Sequence, residues 1–246
     1  MILNRPIFSL FCLIFGSLMI SVSNQPGYSQ ENLPEVSSSI SGQQLWRRFF
    51  PNSESPDSES KRGSSEGGAR GGFCPIAPNQ FSQAEWVWNE RLTFTWVGVL
   101  TQVEIREQGN KKVVWSQDIS AKNRIELNPE TASSTPLKLY QVTTGTSLKP
   151  GQVYELQVST TPPIAYRPIL FQIMTSENRD LMTQGLQELE RELKTKNITG
   201  DAAKLRRADY FASQKLWSEF WQEVLSINTA SEDLKTLINQ TVNQLC

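Results

Sequence analysis

The sequence predicts a mainly β, α+β protein, with an antiparallel immunoglobulin-like β-sandwich over 73–175 followed by a helical subdomain over 176–246. Three observations carry this. Between Phe73 and Thr175 apolar residues recur at every second position, the period that turns one face of a strand inward. From Met182 onward the spacing lengthens to three and four, that of one helix face. Ahead of both lies a stretch too polar to offset its own chain entropy by burial.

At the N-terminus Arg5 precedes an apolar run from Pro6 to Ile20. At about fifteen residues it has the length of a signal-peptide core and is short for a membrane span. Ser21-Val22-Ser23 fits the small-x-small rule for cleavage before Asn24, so 1–23 reads as a secretory signal, with a second site at Gly27-Tyr28-Ser29. The alternative is an uncleaved anchor, and membrane attachment is expected only through it. Residues 24–72 read as a disordered linker, centred on the polar run from Pro51 to Ser60. Within it, Trp46, Phe49 and Phe50 flank Arg47 and Arg48, a cluster suited to a partner, a lipid surface or the protein's own body, or to no docking at all. The stretch Gly67 to Gly72 lacks the Lys-Ser/Thr of a phosphate loop and is a flexible lead-in.

The strands follow. Leu92, Phe94 and Trp96 alternate with Arg91, Thr93 and Thr95, and Val103 with Ile105 repeats the pattern. Glu107-Gln108-Gly109-Asn110 predicts a hairpin turn returning through Val113 and Trp115. Further strands are expected over Asn123 to Leu127, Leu137 to Val142, Val153 to Val158 and Ile169 to Met174, with a Pro-Gly turn at Leu148 to Gly151. Six or seven short strands with no helical pattern between them predict a sandwich.

Three helices are expected next. The first carries Met182, Leu186, Leu189 and Leu193 and ends at Asn197 to Gly200. The second, capped by Asp201, runs unbroken through Leu205, Ala208, Ala212, Leu216, Phe220 and Val224 to near Asn228. The third opens on a capping box of Thr229 and Glu232 and buries Leu234, Leu237, Ile238, Val242 and Leu245. Amphipathic helices must bury their stripes, so they are expected to pack on one another and on a face or edge of the sandwich.

Composition excludes whole classes of chemistry. The chain has 24 Lys plus Arg, 25 Asp plus Glu and no histidine. The near-neutral balance gives no footprint for nucleic acid. Without histidine there is no Ser-His-Asp or Cys-His pair, no His-ligated zinc and no histidine pH switch. Of three cysteines Cys12 leaves with the signal, so Cys74 and Cys246 remain, either as one disulfide in an oxidising compartment or as two thiols. No EF-hand spacing and no four-ligand cysteine set appears, so neither cofactor nor metal is expected.

The order of features resembles a cyanobacterial family of secreted proteins designated a domain of unknown function, number nine-two-eight. The pieces that carry the likeness are Gly67 to Pro75, Leu92 to Val97, Val103 to Ser116 and Leu148 to Tyr154, about half of the mature chain with the segments between them. The resemblance implies a secreted location and an architecture, and no activity.

Function is expected to be binding rather than catalysis, in a secreted or periplasmic protein whose partner is an envelope protein or a glycan. Trp217 and Trp221, beside Leu216 and Phe220, put more aromatic bulk on one helix than a narrow stripe hides, so one of the tryptophans is a candidate partner contact; the alternative is that both are core. Trp86 and Trp88, two apart with Glu85 and Glu90 nearby, offer a sugar-stacking face; the alternative is an inward-facing pair. A carboxylate-pair hydrolase is the third option, but among 25 acids the sequence singles out no pair. Glu188 and Glu192, beside Arg191 and Lys194, read as a solvated face.

Overall fold

The computed structural model describes residues 72–78, 84–110, 112–120, 125–127, 138–228 and 230–246, together with Arg47. The expected signal, its cleavage sites and nearly all of the expected linker with its aromatic cluster lie outside these residues. So do Asn123, Leu137 and Thr229.

Among the described residues from 72 onward, nine strands precede four helices: β1 (Phe73–Ala77), β2 (Glu85–Val87), β3 (Thr93–Gly98), β4 (Gln102–Glu107), β5 (Val113–Asp118), β6 (Ile125–Leu127), β7 (Leu139–Thr143), β8 (Val153–Ser159), β9 (Ile169–Ile173), α1 (Ser176–Thr195), α2 (Gly200–Ser213), α3 (Trp217–Leu225) and α4 (Glu232–Leu245). They form two sheets, ordered β1-β3-β7-β6 and β2-β9-β8-β4-β5. Every pairing is antiparallel except β2 with β9, which is parallel and corrects the expectation of a wholly antiparallel sandwich. At the β4–β5 hairpin Asn110 N donates to Glu107 O at 3.0 Å, and Gly109 supplies the positive φ of 73° that the turn needs.

The period of two resolves into two cores. Phe94, Trp96, Tyr140 and Val142 of the first sheet meet Val103, Ile105, Tyr154, Leu156 and Phe171 of the second. On the opposite face of the first sheet, Cys74, Ile76 and Leu139 join the helices in a second core. The helices therefore pack on the sandwich, and β3 is buried on both faces rather than one. Its threonines sit under the helices and are satisfied across the sheet: Thr93 Oγ1 lies 3.0 Å from Thr143 Oγ1, and Gln141 Nε2 donates to Thr95 Oγ1 at 3.0 Å.

The helix ends depart from the sequence pattern at two places. The expected single helix through Leu205 and Val224 is two, because α2 stops in a Schellman motif: Leu216 N donates to Phe211 O at 2.9 Å and Lys215 N to Ala212 O at 3.0 Å, with Lys215 at φ 59°. The break turns buried Leu216, Phe220 and Trp221 onto the same core as Phe211, which one straight stripe could not do. Nor does Asp201 cap α2; the cap position is Thr199, without a side-chain bond, and Asp201 instead pairs with Lys204 at 3.3 Å. The cap of α4 is Ser231, whose side chain accepts from Leu234 N at 3.3 Å; Thr229, the expected cap, lies outside the described residues.

Cys74 and Cys246 form a disulfide, with Cα atoms 5.7 Å apart and a sequence separation of 172. The bond ties the end of α4 to β1. No helix among the described residues is long and apolar enough to cross a membrane.

Candidate functional site

The residues singled out from sequence converge on the junction of β2 and α3. There two buried acids reach in opposite directions. Glu85 of β2 accepts from Ser218 N at 2.9 Å and Ser218 Oγ at 2.8 Å through Oε1. Glu219 of α3, 4% exposed, accepts through its own Oε1 from Trp88 N and Asn89 N, both at 2.9 Å. Each carboxyl satisfies backbone donors of the other element. Glu85 in effect caps α3, whose own N-cap Leu216 supplies no side-chain bond, and a carboxylate there is favoured by the helix dipole.

This clasp joins the segment that carries Trp86 and Trp88 to the turn that carries Trp217. Trp86 and Trp88 flank the end of β2, Trp217 opens α3, and all three are half-buried against the helix-side core. Trp88 lies 5.9 Å from Phe211 between ring centroids, and Trp217 meets Phe220 edge-on at 5.9 Å. Trp221 is different. At 1% exposed it belongs to the core, so the helix surface open to a partner is that of Trp217.

The acids of the sugar-stacking arrangement are committed elsewhere. Glu85 is held by Ser218, and Glu90 forms an ion pair with Arg179 of α1. Trp88 follows the last residue of β2, and both tryptophans pack against the helix-side core. Glu188 and Glu192 pair with Arg191 and Lys196, both at 2.7 Å, as a solvated helix face would. Among the described residues no group of three or more Cys, Asp or Glu is placed to hold a metal ion.

Sequence reasoning missed Glu219. Burial pushes its carboxyl up to about 7, against the opposing pull of N–H groups from Asn89, its own backbone and Trp88. Among the described residues its Oε2 has no hydrogen-bond partner, and neither has the buried Nε1 of Trp88. The signal in the sequence was faint: an acid set among Trp217, Phe220 and Trp221, where a helix face is otherwise apolar.

The geometry defines a two-sheet, helix-backed body with an aromatic junction at one sheet edge. No family model and no curated protein matches the chain. Among solved structures it is similar to Astrotactin-2, described as a conserved vertebrate-specific and perforin-like membrane protein involved in neuronal development. The identity is 8% and the TM-score 0.24, over 64% of this chain and 34% of that one. A likeness of that size establishes neither fold nor function.

Proposed function

We propose that this is a secreted or periplasmic, non-enzymatic envelope protein that binds another protein, built on an immunoglobulin-like sandwich of the kind its resemblance to the cyanobacterial family implies. One observation carries the proposal: Trp86 and Trp88 stand half-buried where the end of β2 is hydrogen-bonded to the first turn of α3, which half-buried Trp217 opens from far along the sequence. Half-buried tryptophans packed on a core suit protein contact, because part of a large apolar ring is presented with its base already ordered. The glycan reading keeps the same rings, but it needs carboxylates for the sugar hydroxyls, and Glu85 and Glu90 are already engaged.

The test is affinity capture of the tagged mature chain from crosslinked host envelopes, with bound proteins and glycans identified by mass spectrometry, in parallel with Trp217→Ala and Trp86→Ala. A recurrent protein lost from both variants, each verified as folded by circular dichroism, supports the proposal. Polysaccharide enrichment alone would transfer the role to sugar binding.

A further inference from the structure

The β2–α3 clasp contains an acid with an unusual burden. Glu219 is 4% exposed, only one of its oxygens is hydrogen-bonded, and no ion pair reaches it among the described residues. A carboxyl so placed is comfortable when neutral. Once ionised, it is a buried charge with no ion-pair partner among the described residues, and its bare Oε2 must draw in water or one of the buried indole N–H groups of Trp88 and Trp221.

We infer that the β2–α3 junction is a proton-operated latch on the aromatic surface: protonated Glu219 holds it shut, and ionised Glu219 draws water in and loosens the grip on Trp88 and Trp217. No ion pair to Glu219 forms from the elements around it among the described residues. α3 packs on β1, β2, β3 and α2. β1 and β3 carry no charged side chain, and Cys74 of β1 is tied up in the disulfide. β2 brings Glu85, itself an acid, and the turn after it brings Glu90, paired with Arg179, and the exposed Arg91. On α2, Lys204 pairs with Asp201 and Arg207 with Glu223 of α3 and Glu190 of α1; Arg206, Asp209 and Tyr210 complete its titratable set. None of these charges shifts the Glu219 carboxyl, whose position near neutrality is set by burial and backbone N–H groups. Near-neutral titration then makes the latch responsive to ordinary changes in extracytoplasmic pH.

The regulatory meaning rests on the binding reading above, whereas the latch itself is measured on the isolated protein without a partner. Amide exchange at Trp88, Asn89 and Ser218, corrected for intrinsic base catalysis, should accelerate about tenfold from about pH 5 to about pH 9 in the wild type. The acceleration should vanish in Glu219→Gln, whose amide oxygen keeps the two N–H bonds without ever ionising. Should that variant fold poorly, a carbon-13 titration of the Glu219 carboxyl in the wild type reads the same event directly. Exchange that is unchanged across the range, acceleration that survives in E219Q, or a carboxyl already ionised at about pH 5 would each overturn the latch. None of those results bears on capture by Trp217, so the two proposals fail separately.

Discussion

The hydroxyl of Tyr210 occupies the place that a Cβ on Gly185 would need, and it donates to Met182 O at 3.1 Å. The glycine lets α1 approach α2 closely enough for Tyr210 to be buried. Gly185→Ala should therefore destabilise by about 1–3 kcal/mol despite the better helix propensity of alanine. Urea unfolding should also show that Tyr210→Phe, which deletes the clashing atom, recovers part of the loss in the double variant.

Trp221 and Trp217 should separate cleanly. Trp221→Ala empties a core site and should cost about 3–5 kcal/mol. Trp217→Ala removes a half-buried ring and should cost about 1–2 kcal/mol, with a native circular dichroism spectrum. Equal losses in denaturant melts would show that Trp217 is core as well.

Lys215 holds a left-handed conformation at φ 59° to end α2. Lys215→Gly relieves the crowding of Cβ and should stabilise by about 0.5–1 kcal/mol, seen as a higher urea midpoint at unchanged slope.

The Glu219 carboxyl is raised from 4.5 to about 7 in the folded protein. The folded state thus binds a proton more tightly than the unfolded chain, and the stabilisation is fully present below about pH 4.5 and lost as pH rises through about 7. The associated change is on the order of 3 kcal/mol. In Glu219→Gln this component of the pH–stability profile should disappear, checked by melts at a series of pH values.

The Cys74–Cys246 bond closes nearly the whole folded chain, with 172 residues of separation. Its loss in Cys74→Ser/Cys246→Ser should cost about 5 kcal/mol in the chain-entropy picture. Alkylation without reductant should label neither thiol; labelling of both would remove the cross-link.

Much of the architecture was legible because it follows from local rules. Alternation at Leu92, Phe94 and Trp96 and the turns at Gly109 and Gly151 mark strands whatever they pack on, and Met182, Leu189 and Leu193 mark a helix face in the same way. The break between α2 and α3 was not legible, since a Schellman motif is ordinarily flagged by glycine and here the position is Lys215. The buried threonines of β3 looked solvent-facing because nothing local announces that helices cover them.

By itself the sequence determined the two periods, the absence of histidine chemistry and the pair of cysteines left to cross-link, each a property of residue type and spacing. Only the tertiary structure decided that Trp221 is core while Trp217 stays half-buried, that β2 runs parallel to β9, and that Glu85 accepts from Ser218 while Glu219 accepts from Trp88 and Asn89. The reason is distance along the chain. Burial and carboxyl chemistry depend on neighbours that lie 131 and 133 residues away, and no local pattern encodes which of them will meet.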